Sequence, residues 1–426
     1  MSQEELDDIA RLHEMFITGR VGGRRAVIRD MDLSGLSLAK RDLRQADFNG
    51  CNMNEMDLSA SNFREASLFA CTLNQANLHD ACFIRADLRG AQIQSADLES
   101  ADLEGADLRA GALSRGGFFA PVQNVNFKGA NLSGAKLAGS LAGTADFSDA
   151  IMAKADLTGA DLRGAVFEGA DMSEAEISGA QLIGANMQSA ILTGVEMDDI
   201  RRSGVNTDSS ITDDNVGKSL DTLDIPLANL IKEHRAWVAS AGAEGLQLDL
   251  SGYDLRMLLD LSGQKLTAIK AEETRWNGME LSGIELQSAK MDRSDFRRCT
   301  MEGGDFRGSS FVDSLFGHAH LKGANFGSLF FGSGEYRKEV TTNLSGVNMR
   351  YADVSGCDFT NANFKGADIS YADFSDCNLR GANFTGAKTT ATEFKGSNIS
   401  AAIFGQEDKY DTDNGFGALN ETKEDA

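Results

Sequence analysis

The sequence predicts an all-β solenoid of stacked square coils, and three observations carry that prediction. The first is a period. From Ala86 to Leu108 the chain reads ADLRGAQIQSADLESADLEGADL, so a small, an acidic or amide, and a large apolar residue recur every five positions. Five fits neither the 3.6 of an amphipathic helix nor the 2 of a strand. The second is register. With the large apolar residue as the centre of each unit, centres fall at Leu33, Leu38, Leu43, Phe48, Met53, Leu58, Phe63 and Leu68, and so on to Phe118. Two positions before a centre stands a small residue, as at Ala46, Ala66, Ala76, Ala86, Ala96 and Ala106. The third is that the only two prolines, Pro121 and Pro226, lie where the repeat breaks, since proline cannot donate within a ladder. One large and one small residue turned inward per unit require a corner at every unit. Four corners close a coil of about 20 residues, and coils at the ~4.8 Å strand spacing build a solid rod.

These units resemble the pentapeptide-repeat family, whose consensus is A(D/N)LXX. The resemblance covers residues 26–199 and 248–405 and implies a right-handed quadrilateral β-helix. It specifies little about activity.

Taken in order, residues 1–25 predict a capping helix. Ser2 with Glu5 forms a capping box, and Leu6, Ile9, His13, Phe16 and Ile17 form one apolar face before Gly19, Gly22 and Gly23 end it. Such a helix covers the unpaired edge of the first coil. Repeats over 26–199 follow, interrupted by a loop near 116–124. Residues 200–247 predict a linker and a second capping helix, because Leu227, Leu230, His234, Trp237 and Val238 repeat the first helix's apolar spacing at an offset of 221. Asp254–Leu255 then matches Asp32–Leu33 at 222, whereas Phe330–Phe331 matches Phe118–Phe119, and the two NLSG segments match each other, at 212. The drop of ten equals two lost pentapeptides, so the chain reads as two tandem halves, each with a capping helix, coils, a loop of equal length and more coils. The second run, 248–405, is looser at first: Leu255 and Leu261 are six apart, and Trp276 takes a centre slot. Its loop lies near 332–342. Residues 406–426 form an acidic tail expected to be disordered.

The formal charge of −23 argues against direct nucleic-acid or anionic-membrane binding. The acidic start lacks a secretory signal, and no apolar run approaches the ~18 residues of a membrane span, so a cytoplasmic protein is expected. Cys51, Cys71, Cys299, Cys357 and Cys377 occupy the small inward slot, where cysteine packs as a small hydrophobe; Cys82 faces outward. His13 and His234 are placed to hydrogen-bond into their first coils. His318 and His320 point outward without further ligands. The aspartates before each centre lack calcium-roll spacing and suit corner hydrogen bonds. No catalytic set, cofactor site or metal site is expected.

The interrupting loops are the candidate partner-binding surfaces: Phe118 and Phe119 in the first half, and Phe330, Phe331, Tyr336, Arg337 and Lys338 in the second. The outward column of Ile151 and Ile191 is a weaker candidate. The expected function is a non-enzymatic protein-binding scaffold. The resemblance implies an alternative, because some members of the family act as DNA mimics that bind DNA gyrase or topoisomerase IV and inhibit or protect it. Two departures weigh against it here: the tandem arrangement, and basic residues such as Arg85, Arg89, Arg109, Lys154 and Arg163 within the acidic faces.

Overall fold

Each five-residue unit forms one side of a square. The computed structural model describes residues 1–111, 123–332 and 336–405, together with the backbone of 114–115 and 118–119. The expected acidic tail and parts of both loops lie outside these residues.

The residue before each centre pairs in parallel with its counterpart 20 positions on, so Val27, Asp47, Ser67, Asp87 and Asp107 form one column. The centre's own N–H donates one coil onward, as from Leu33 N to the Asn52 carbonyl at 2.8 Å, and its carbonyl accepts from three residues ahead, as from Leu36 N at 3.2 Å. Two positions after the centre the backbone turns left-handed: φ is 61° at Lys40, 63° at Gln45 and 59° at Glu55. A left-handed non-glycine residue costs roughly 1–2 kcal/mol. The regular ladder and buried centres offset that cost at every corner.

Centres such as Leu33, Phe63, Phe147 and Leu157 are fully buried. Where a centre is aromatic in successive coils the rings form ladders. Phe127, Phe147 and Phe167 stack with centroids 5.0 Å apart and nearly parallel planes. A small-slot residue bearing a donor uses it on a centre carbonyl of the preceding coil. Ser61 Oγ donates to the Leu38 carbonyl at 2.6 Å and Cys71 Sγ to that of Phe48 at 3.0 Å. Trp276 fits its centre slot because Nε1 donates to Thr274 Oγ1 in the adjoining small slot, at 2.5 Å.

The chain divides into two compact units, Met1–Asn215 and Val216–Ala426. In the first, helix α1 (Gln3–Ile17) starts at the Ser2–Glu5 capping box. Its buried stripe is Leu6, Ala10 and His13; Phe16, assigned to the apolar face by sequence, is 42% exposed. Strands β1 (Ser114–Arg115) and β2 (Phe118–Phe119) pair antiparallel as a hairpin. Across it the coil register jumps from 20 to 34, as in Gln92↔Asn126, a gain of fourteen. Coils continue past residue 199. Helix α2 (Met197–Ser203) replaces one side, and Asn186↔Asn206 and Ile191↔Ile211 keep the register of 20.

In the second unit, β3 (Lys218–Ser219) pairs in parallel with β4 (Tyr253–Asp254), and α3 (Leu227–Ala239) lies between them in sequence. The loose early repeat is a 3₁₀ turn at Arg256–Leu258 that adds one residue, so Asp254↔Arg275 are 21 apart and Asp260↔Glu280 are 20 apart. Strands β5 (Leu329–Phe331) and β6 (Lys338–Val340) form a second antiparallel hairpin. The register there jumps to 33, as in Ser310↔Asn343, a gain of thirteen, one fewer than in the first unit. Strands β7 (Asn383–Phe384) and β8 (Ile403–Phe404) are parallel neighbours in the last coils.

Candidate protein-binding surface

The second hairpin is built on a rigid base. Thr342, fully buried, accepts the Gly308 N–H on Oγ1 at 2.9 Å and reaches the Gly327 carbonyl at 3.0 Å. Leu329 closes over Gly308, where an added Cβ would come within 2.9 Å of the leucine Cβ. Above this base, Ser328 Oγ and Asn361 Nδ2 donate to Glu339 Oε1 at 2.5 and 2.7 Å. The Ser328 bond in particular holds the Glu339 carboxyl below its ordinary pKa.

On that platform the apolar side chains face solvent. Phe330 and Phe331 are 46% and 48% exposed, and Tyr336 is 89% exposed. The Arg337 guanidinium lies 3.9 Å from the centre of the Phe330 ring, and Lys338 is exposed beside them. The five residues singled out by sequence are therefore together, and the phenylalanines do not plug the core. In the first unit the Phe118–Phe119 backbone lies in the returning strand, whereas Phe330–Phe331 lies in the outgoing one. The matching dipeptides hold different places in the two hairpins. The first hairpin leaves the coil through Gly111, whose ideal Cβ would meet Phe69 Cε2 at 2.8 Å and the Arg89 carbonyl oxygen at 2.9 Å. Ile191, offered by sequence as part of an exposed column, is fully buried.

The helices carry paired imidazoles. His13 is fully buried; Nδ1 accepts the Ala26 N–H at 3.0 Å and Nε2 lies 3.0 Å from the Arg44 carbonyl, defining the neutral Nε2–H tautomer. His234 Nδ1 accepts the Leu248 N–H at 3.1 Å. Its Nε2 faces the Leu266 and Thr267 backbone without a hydrogen bond of good geometry. Burial lowers the pKa of both. Phe16 and Trp237 stack on these imidazoles, each at 5.9 Å.

Among the described residues, one group can hold a metal ion: His79, Asp97 and Glu99, with one donor atom each within 4.8 Å of the others. Those donors already have partners. Asp80 lies 3.3 Å from His79, and Asn131 bonds Asp97 at 3.1 Å. The six cysteines are free thiols, and burial pushes Cys377 up to about 12. A shallow cleft of about 580 Å³ beside α1 is lined by polar groups including Asp7, Glu14 and Arg41, two of which Arg41 itself ion-pairs at 3.0 and 3.5 Å. Among the described residues, no helix is long and apolar enough to cross a membrane.

Some of the acidic positions are internally paired. An aspartate before a centre and an arginine after it form a two-pronged bond on one side of a coil, as in Asp42–Arg44, Asp87–Arg89 and Asp107–Arg109, each at 2.7 Å. Where a serine takes the arginine's place the carboxylate caps the turn instead: Asp32 Oδ1 accepts Ser34 N at 3.1 Å.

A solenoid of five-residue sides, with ladders of aspartates along those sides and interrupting hairpins, defines a class of repeat scaffold. The family model for pentapeptide repeats matches eight copies, over residues 42–75, 71–109, 126–169, 155–199, 342–381 and 377–406. The chain belongs to the pentapeptide-repeat family, with its right-handed quadrilateral β-helix. No curated protein matches it. Similar solved structures include HetL, a pentapeptide repeat protein involved in heterocyst differentiation regulation from the cyanobacterium Nostoc sp. strain PCC 7120, at 16% identity over 92% of this chain and 94% of that one, TM-score 0.16. Rfr23 from the cyanobacterium Cyanothece 51142 is 17% identical over 35% of this chain and 94% of that one, TM-score 0.20. Full-length QnrB1, a plasmid-mediated fluoroquinolone resistance protein, is 12% identical over 74% of this chain and 95% of that one, TM-score 0.17.

Proposed function

We propose that the protein is a non-enzymatic protein-binding scaffold of two tandem pentapeptide-repeat halves, with α1 and α3 as their caps and the hairpins as contact elements. The observation that carries this reading is the β5–β6 hairpin. Three aromatic side chains and a guanidinium are held in solvent on a base fixed by buried Thr342. Exposed aromatic and arginine side chains supply most of the energy at protein interfaces, and function concentrates on loops carried by a rigid frame. The caps are supported by Leu6 and Ala10, which join the first core, and by Leu227, Leu230 and Ile231, which pack on the second. A DNA-mimic role against a type II topoisomerase needs a continuous run of uncompensated carboxylates. The aspartate–arginine pairs within the acidic faces favour the scaffold over it.

The test is capture of partners from the source cell's lysate by the full chain and by Phe330→Ser/Phe331→Ser/Tyr336→Ser. These residues are exposed, so the variant should keep the wild-type melting temperature and lose at least one partner. Identical partner sets would sink the hairpin's role. Salt-sensitive inhibition of gyrase supercoiling near stoichiometric protein would favour the DNA-mimic reading instead.

A further inference from the structure

One strip of the second unit gathers basic residues. The column Asp254, Arg275, Asp295 continues to Asp368 and Lys388. In the two columns beside it stand Arg256, Arg297, Arg298 and Arg350. These three columns hold six cations and three carboxylates on a chain whose formal charge is −23, while the corner on the column's other side carries Glu272, Glu273, Asp292 and Asp313. The column's own carboxylates are engaged within the face: Asp254 by Arg256 and Asp295 by Arg297, both at 2.8 Å, and Asp368 by Lys388 at 3.5 Å and Arg350 at 3.6 Å.

Arg275 lies in the column between the two engaged aspartates, and its buried Nε has no hydrogen-bond partner among the described residues. Burial lowers its pKa, with Asp295 and Asp254 opposing and Arg297 and Arg256 adding to the fall. A guanidinium stays charged in proteins, and this half-buried one, flanked by two aspartates already engaged by other arginines, gains from a further carboxylate. Further along the face the Tyr351 and Tyr371 rings stack 4.9 Å apart, with the Arg350 guanidinium 5.7 and 5.4 Å from their centres.

We propose that this face docks an acidic, extended segment of a partner protein, Arg275 receiving a carboxylate and the Tyr351–Tyr371 stack an apolar or aromatic side chain. The proposal rests on the scaffold reading and names the partner's chemistry. A short acidic segment suits the face better than a nucleic acid, because the chain's overall negative charge repels a long polyanion.

The experiment is fluorescence anisotropy of a labelled Asp/Glu peptide containing one Phe, titrated with the full-length protein at low and high salt. Salt-sensitive binding is expected, with affinity falling about tenfold in Arg275→Gln, the scale of one charged hydrogen bond, and falling also in Tyr371→Ser. Arg163→Gln, on the other unit, should bind as wild type. Circular dichroism checks each fold, and Tyr371→Ser serves if Arg275→Gln does not fold. No binding, unchanged binding in both variants, or equally tight binding of a single-stranded oligonucleotide would overturn the proposal. So would binding that appears only after Glu407, Asp408, Asp411 and Asp413 become Gln or Asn, which would assign the face to the chain's own C-terminal segment. Hairpin-dependent capture without peptide binding would refute this face and leave the scaffold standing.

Discussion

A neutral imidazole can accept the first N–H of a coil only while it stays unprotonated. His13 and His234 do this for Ala26 and Leu248, and burial holds both below the ordinary histidine pKa. The unfolded chain therefore takes up these protons first on acidification. Their contribution is full above about pH 6.5 and is lost as pH falls from there toward the folded values. Urea midpoints measured between about pH 7 and pH 5 should fall with pH, and His13→Gln/His234→Gln should flatten that slope. An undiminished slope would show that other groups carry it. In the cores, Phe147→Ala breaks a three-ring ladder and should cost about 3–5 kcal/mol in denaturant unfolding. Most of this scale was legible in the sequence, because each inward slot admits one size of side chain. Cys71 and Ser61 stand where alanine usually does, and both are buried. The left-handed corners at Lys40 and Gln45 were not legible, because nothing in a polar side chain marks a positive φ.

Among the elements, the hairpin base is open to a direct test. Thr342→Val keeps the shape but leaves the Gly308 N–H without its acceptor, and an unmet buried donor costs about 1–3 kcal/mol. Amide exchange at Gly308 should speed up, with partner capture weakened in proportion to hairpin opening. Exchange unchanged from wild type would show that the Thr342 hydroxyl does not hold the hairpin base. The loops announced themselves through the broken period, but which way Phe330 and Phe331 face did not, since an apolar pair after a coil reads equally as plug or projection. Helix α2 was visible in principle. Asp198 and Asp199 in its first turn, Arg201 and Arg202 in its last and Gly204 in the left-handed conformation beyond it suit a helix dipole and C-cap. With the five-residue pattern lost there, the segment reads equally as a linker.

For the molecule as a whole, each coil touches only its neighbours, so stability adds up coil by coil. Removing residues 144–163, one complete circuit within the regular run, rejoins Gly143 to Gly164 with the 20-residue register intact. The shortened chain should give the same circular-dichroism spectrum and a lower melting temperature; an unfolded product would show longer-range cooperativity than the ladder implies. Charge was legible at this scale as a total but not as a pattern, since only the folded register brings Arg275, Arg297 and Arg350 onto one side.

The same register has a consequence for direction. The first hairpin leaves after the column that contains Asp107, which begins at Val27 beside its starting helix. The second leaves after the column that contains Asn325 and Lys265, one side earlier in the circuit that begins at Asp249. Five residues gained or lost between helix and hairpin thus act as a quarter-turn of a dial. They swing the projecting aromatics to an adjacent compass point while every buried slot keeps its occupant's size. A lineage of such chains can re-aim its contacts by counting, without altering a single contact residue.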